Sequence, residues 1–352
     1  MEQRLKEYDF IRVLCVFGVI AIHVTSHFVT KTELAFAWNQ LSRFAVPMFM
    51  ILSGFFLFYK DRHYPPNKWV PMKNRIVKLM IPYLLWTTVY ALFTQGGLME
   101  NGNYSMWFSY WLEVTLLGKG YVHLYFMLIV FQFYLLYPLF RRWFYRSPKS
   151  LLFLTFIITL VMQTLVFISN NPNISYTLPD IWYSYSVPIP VWCFYFISGM
   201  WLAHHRDRWE SWIKGKGWLF FLLWIASYVL LFMDSKSSST FMLSMKPTII
   251  IYCFASFFFF FSMGSFLYRK KKWWHSTFDW ISTQSFLIFL LHPLLLTVLS
   301  QEAGENKWSF LWSGNTGFVA QYLIVVISTF LFSYLFSRFS VQWLGGVPAR
   351  RK

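Results

Sequence analysis

The run from Asp9 to Val24, DFIRVLCVFGVIAIHV, is apolar except for residues that are costly to bury and useful in chemistry, above all Arg12 and His23. A charge near the centre of a bilayer costs a few kcal/mol or more, so an ionisable side chain in such a run is a functional candidate by default. Eleven residues separate the two, which on an α-helix is about 16 Å of rise and roughly 20° of rotation. They share a face. A guanidinium offers a fork of donors suited to phosphate, and an imidazole suits general-base work. The plain alternative is that Arg12 snorkels to lipid phosphate and His23 hydrogen-bonds a neighbouring helix. The shared face favours the chemical reading.

Other expensive residues follow. Arg43 opens the run LSRFAVPMFMILSGFFLFY, where it is either an interfacial anchor or a binding group. Pro47 removes one backbone hydrogen bond in that run and Gly54 permits close helix approach; Ser53, with no base adjacent in sequence, reads as packing rather than as a nucleophile. His123 begins GYVHLYFMLIVFQFYLLYPLF beside Tyr121 and Tyr125, and Gln132 deeper in it reads as a helix-to-helix contact. His292, in TQSFLIFLLHPLLL, lies about twelve residues beyond the start of its span, around or past the midplane. His27 and Glu33, just past His23, either line an outer mouth or, as the favoured reading, supply ordinary loop polarity. His204 and His205 lack the acidic or cysteine companions of a metal site, so no metal is expected.

These residues need a membrane-embedded frame. Of 352 residues, 57% are hydrophobic, 23% aromatic and only 13% charged, which is not the composition of a soluble domain. Apolar windows of about twenty residues recur throughout. They predict an all-α integral membrane protein, a bundle of about ten transmembrane helices near 10–30, 40–59, 76–95, 121–140, 150–169, 181–203, 217–233, 246–268, 280–300 and 317–338. The stretches 100–105 (ENGNYS) and 234–240 (DSKSSST) read as exposed loops. No internal repeat is evident, and residues 1–352 read as a single polytopic domain.

The formal charge of +17, from 31 Lys and Arg against 14 Asp and Glu, excludes little by itself. Its distribution is decisive: with ten spans, 24 of the cations fall on the side holding both termini and six on the other. Cytoplasmic loops accumulate Lys and Arg, so both termini are placed in the cytoplasm. The charge then reads as orientation and attraction to anionic lipid, not nucleic-acid binding. Cys15, Cys193 and Cys253 all lie in apolar runs and read as packing residues. The first run is long and lacks a small-residue cleavage site, so it is expected to be a retained span.

Together these segments resemble the type-3 membrane acyltransferase family. YDFIRVLCVFGVIAIH is similar to the family's Asp-x-x-Arg followed by His, and RFAVPMFMILSGFFL to its second-helix signature. HLYFMLIVFQFYLLYPL resembles a His-Leu-Trp-Phe segment with Tyr125 in the Trp place. SFLIFLLHPLL resembles a late Ser-Phe-x-Ile-Tyr-Leu-x-His segment with Phe289 in the Tyr place. The likeness runs in order from residue 8 to about 300.

The resemblance implies transfer of an acyl group, usually acetyl from cytoplasmic acetyl-CoA or another acyl-CoA, to a hydroxyl or amino group of a cell-envelope glycan or lipid-linked saccharide at the outer side of a bacterial cytoplasmic membrane. It implies His23 as the general base and Arg12 as a donor-positioning group held by Asp9. Arg43 is implied for the acceptor or the developing oxyanion, and His123 and His292 for acceptor positioning. A transporter or flippase of a lipid-linked saccharide is the rival reading, with the same residues lining a pathway. A proton-switched membrane sensor is a third.

Overall fold

The computed structural model describes residues 4–65, 68, 70–175, 188–269, 274–304, 311, 313–339 and 342–347. Among these there is helix but no strand, as a bilayer requires of any chain that does not close a barrel. In chain order the helices are α1 (Lys6–Thr25), α2 (Glu33–Leu41), α3 (Ala45–Lys60), α4 (Lys73–Gln95), α5 (Gly97–Glu100), α6 (Tyr104–Leu117) and α7 (Tyr125–Arg146). There follow α8 (Pro148–Asn170), α9 (Ile189–His204), α10 (Arg206–Ile213), α11 (Gly217–Ser237), α12 (Pro247–Leu267), α13 (His275–Gly304) and α14 (Gly314–Arg338).

Eight helical segments among the described residues are long and apolar enough to cross a membrane. Each of the ten expected spans falls on a helix, but two fall short of that standard. The expected fourth is α7, whose last turns carry Arg141, Arg142 and Arg146, and the expected sixth is α9, only 16 residues long. Residues 181–187 of that sixth span lie outside the described residues. The second span begins earlier than its apolar run predicts, because α2 continues through a 3-10 turn, Ser42–Phe44, into α3. Thr32 caps α2 by accepting from the Ala35 amide at 3.2 Å. The helix α6 was not legible in the sequence.

Burial sorts the helices into a core and a sheath. The apolar window of α1 is 72% buried, whereas that of α11 is 17% buried and those of α8 and α14 are 28%. A helix apolar all round and buried all round belongs inside the bundle, and α1 packs against α3, α12, α13 and α14. The sheath helices turn bulky side chains such as Phe153, Leu222 and Ile327 outward, where in water they would be a liability and in lipid they are solvated. Cys15, Cys193 and Cys253 are buried and unbridged.

The tightest crossing is α3 on α9. A Cβ on Gly54 would stand 2.0 Å from the Phe196 carbonyl oxygen, and one on Gly199 2.0 Å from that of Ile51. The two backbones therefore touch, as small residues allow when lipid-like surroundings supply no hydrophobic drive between helices. Gly199→Ala is expected to force the pair apart and cost ~1–3 kcal/mol, read as a lowered melting transition in detergent with the chain otherwise unchanged in helicity.

One expected loop is something else. Residues 234–240 form the last turn of α11 and the turn after it, with Ser235, Ser238 and Thr240 buried while Lys236, Ser237 and Ser239 stay exposed. Their polarity is spent on Lys246, fully buried at the start of α12, whose ammonium donates to Ser235 Oγ at 2.6 Å and lies 3.0 Å from Asp234 Oδ2. Serine-rich composition reads as solvent exposure only when no buried cation needs the oxygens.

Candidate functional site: two cavities along one helix

Two cavities flank α1, one toward each of its ends. The first, about 510 Å³, is lined by Arg12 of α1, Ser53 and Lys60 of α3, Arg75 and Lys78 of α4 and Tyr134 of α7. Four of these are cations, and among the described residues no carboxylate lines the space. Arg75 is gripped by Asp61 in a two-pronged pair, 2.6 Å and 2.5 Å, and Asp61 itself is fully buried. Buried Arg141 holds the turn containing Asp61, donating to the carbonyls of Asp61 at 3.3 Å and Pro65 at 3.1 Å.

Arg12 stands over the ring of Phe56 at 4.6 Å and donates to Ser282 Oγ at 3.3 Å. The Asp9 carboxylate lies 3.6 Å from it, in ion-pair range, while its hydrogen bonds go to Ser282 at 2.6 Å and to Arg4. So Asp9 supports Arg12 through Ser282 and not by the direct hydrogen bond the resemblance implied. Burial works against the Arg4 charge, but its bond and attraction to Asp9 outweigh that and raise its pKa above the ordinary arginine value.

The second cavity, about 430 Å³, is lined by His23, His27 and His123, and His292 stands against its wall. His23 from the end of α1, His123 from the turn before α7 and His292 from α13 bring their rings to centroid separations of 5.2 Å (His23 to His292), 5.9 Å (His123 to His292) and 6.5 Å (His23 to His123). His23 is partly exposed, while His123 and His292 are 2% and 1% exposed.

His292 donates through Nδ1 to the Ile288 carbonyl at 3.0 Å, since a carbonyl can only accept. In the neutral ring Nε2 is then an acceptor, and it has no protein partner. Pro293, next in the chain, cannot donate back to the Phe289 carbonyl, so the helix is locally short of a hydrogen bond at this level. Both ring nitrogens of His123 are buried and make no well-formed hydrogen bond among the described residues, inside a box of Tyr90, Tyr121 and Phe289 rings at 5.1–6.0 Å. Buried polar atoms left unpaired in a cavity wall are what a ligand's own donors and acceptors would satisfy.

Arg43 completes the cavity. It sits in the turn between α2 and α3, 3% exposed, which removes the reading as an interfacial anchor. Its guanidinium donates to Asn39 Oδ1 at 3.0 Å and 2.6 Å, to the Met242 carbonyl at 3.0 Å and to Ser244 Oγ at 2.9 Å. These take four of its five N–H groups, and every partner is neutral. A buried cation with only neutral partners has met its hydrogen bonds but not its charge, and negative charge arriving nearby is strongly favoured.

Behind it Asn39 and Gln40 link the cavity to the buried lysine: Gln40 accepts from Ser235 at 2.7 Å, and Ser235 accepts from Lys246. Sequence reasoning missed this chain, although the four-residue spacing of Asn39 and Arg43 already places them on one helix face. His27 also lines the cavity, the less favoured of its two sequence readings. Among the described residues no group of three or more ligating side chains is arranged to hold a metal ion.

Arg12 and His23 thus lie on one helix stripe but in different cavities, while His23, Arg43 and His123 share one and His292 packs against the two imidazoles without lining it. A family model described as an acyltransferase domain, that of the type-3 membrane acyltransferases, matches residues 5–338. The chain is 25% identical over 313 residues to a protein of Bacillus subtilis (strain 168) named as a membrane-bound acyltransferase, covering 84% of this chain and 82% of that one. It is also 25% identical over 308 residues to proteins of Staphylococcus aureus (strains MSSA476 and MRSA252) named as poly-beta-1,6-N-acetyl-D-glucosamine export proteins, covering 83% of each partner in the comparison. No solved structure matches. With a match over nearly its whole length, this multi-pass membrane protein belongs to the type-3 membrane acyltransferase family.

Proposed function

We propose that residues 1–352 form one membrane-embedded enzyme, crossing the cell membrane ten times with both termini in the cytoplasm, that moves an acyl group to a hydroxyl or amino group of a cell-envelope glycan at the outer side. The donor is an acyl-CoA, acetyl-CoA in the first instance. The observation that carries the reading is the pairing of a cationic cavity at one end of α1 with a histidine cavity holding a charge-unsatisfied arginine at the other. The first suits the phosphates of a nucleotide thioester and the second suits acyl transfer.

In this reading His23, the partly exposed imidazole of the three, takes the proton of the acceptor hydroxyl as its oxygen attacks the thioester carbonyl. The carbon–oxygen bond forms and the carbon–sulfur bond breaks. The proton held on the imidazole passes to the departing thiolate, which restores neutral His23 and releases free CoA. Arg43 faces the charge that develops on the carbonyl oxygen, and needs none of its existing bonds broken to do so. His123, which lines the cavity, holds a neighbouring hydroxyl of the acceptor, and His292, packed against the His23 and His123 rings, helps position it. Arg12, steadied by Asp9 through Ser282, anchors the donor among Lys60, Arg75 and Lys78.

The staphylococcal relatives named as export proteins favour a second reading, movement of a saccharide through the same cavities. One experiment separates the two. Purified protein in lipid nanodiscs is given radiolabelled acetyl-CoA with and without a glycan extract. Acceptor-dependent release of CoA with label on glycan supports transfer, whereas absence of both CoA release and acetyl-CoA binding gives the field to export. For the enzyme, Arg12→Gln is expected to raise the donor KM about tenfold, the worth of one charge-assisted contact, with little change in kcat. Steady-state kinetics over a salt series would check it.

A further inference from the structure

The two cavities share only two lining residues, Phe126 and Phe289. Their rings are 5.4 Å apart, and Phe49, which lines the cationic cavity, lies 6.1 Å from Phe126 and 6.5 Å from Phe289. The three side chains come from three helices, α3, α7 and α13, and Phe126 and Phe289 are each under a tenth exposed. The polar walls stop here: Arg12 and Ser53 lie on one side, and His23, Arg43 and His123 on the other.

We infer that Phe49, Phe126 and Phe289 form an apolar collar that closes the passage between the cavities to water and ions and admits only the uncharged end of the donor. The inference about admission rests on the donor reading above, whereas closure does not. A membrane protein with a polar cavity at each end of one helix must keep them from joining, or ions would cross. Hydrophobic constrictions do this by dewetting, because a narrow ring of phenyl faces offers water no hydrogen bonds. An extended chain of methylenes, amides and a thioester can displace nothing but those phenyl contacts, while its phosphates must stay behind with Arg12, Arg75 and Lys78. Charge is therefore sorted at the collar: anionic nucleotide on one side, neutral acyl thioester on the other.

The test uses the full chain in sealed vesicles, a charged membrane-impermeant maleimide applied to one face at a time, and single cysteines. Native Cys15, Cys193 and Cys253 are buried and serve as the unreactive background. Ser53→Cys reports the cationic cavity and Ser300→Cys the histidine cavity. Each is expected to react from one face only, the two faces being opposite. Adding Phe126→Ala with Phe289→Ala is expected to make Ser300→Cys reactive from the Ser53 face at least tenfold faster, and the matching leucine pair to leave it closed. Labelling of Ser300→Cys from both faces in the parent, or no change in the alanine pair, would overturn the collar.

Passage is read separately, in a variant that keeps the collar otherwise whole. Phe289→Cys labelled from the Ser300 face should be protected by acetyl-CoA and not by adenosine 3′,5′-bisphosphate, which has the phosphates but no arm. Protection of Ser53→Cys by the bisphosphate with no protection of Phe289→Cys by acetyl-CoA overturns passage and leaves the donor reading standing. Failure of acetyl-CoA and the bisphosphate alike to protect Ser53→Cys removes the donor reading, and closure is then judged by the vesicle result alone.

Discussion

His23→Ala is expected to lower acyl transfer ~10²–10⁴-fold, the usual worth of a general base, while the protein still binds acetyl-CoA with nearly unchanged affinity. The split follows from geometry. His23 lines the histidine cavity and not the cationic one, so its removal deletes a proton acceptor without touching Arg12, Lys60, Arg75 or Lys78. CoA release by matched, folded wild type and variant, together with equilibrium binding of the donor, would check it. A variant that keeps its rate would move the base to His292, whose Nε2 is the nearest alternative acceptor, and His292→Ala would then show the loss.

Arg43→Met is the second large effect, a fall of ~10²–10³-fold in kcat if the guanidinium meets developing charge. Arg43→Lys is expected not to rescue it. One ammonium has three donors on a flexible stem and cannot hold Asn39, the Met242 carbonyl and Ser244 while keeping a donor free. Stability should change far less than rate. Methionine removes the cost of a desolvated cation but takes the donor from the Met242 carbonyl, at ~1–3 kcal/mol, while Asn39 Oδ1 keeps the Gln40 amide, and the two effects oppose. Kinetics beside a thermal melt separates them.

Much of the architecture was readable because lipid makes simple demands. Apolar windows located a helix at each expected span, and the rule that an ionisable group inside such a window is functional picked out His23, Arg43, His123 and His292. The structure brings His23, Arg43 and His123 to one cavity and packs the His292 ring against both imidazoles. The eleven-residue spacing of Arg12 and His23 placed them on one stripe, but spacing along a helix says nothing of the phenylalanines that other helices insert between them. Arg75 and Lys60 entered the sequence reading as charges of the basic inner loops, without individual roles. Their role in the cationic cavity depends on α3, α4 and α7 meeting, a tertiary fact with no periodic signature. The same holds for 234–240, where composition alone suggested solvent and the partner that buries it, Gln40, lies some two hundred residues earlier. The helix α6 escaped notice because polar residues flank it, and it turns Tyr104, Met106 and Phe108 outward rather than into any core.

The bond between Lys246 and Asp234 also bears on how the chain is made. Asp234 ends α11 and Lys246 precedes α12, so the pair staples a hairpin whose arms each carry a charge unwelcome in lipid alone. Entering together, they neutralise each other, which favours insertion of α11 and α12 as one unit. That hairpin brings Met242 and Ser244, and these seat Arg43, which belongs to a segment synthesised some two hundred residues earlier. The nascent chain therefore carries an unfinished cavity through most of its synthesis. It is furnished with its arginine only when the hairpin docks, so a ribosome that stalls before residue 240 leaves behind helices without a working site.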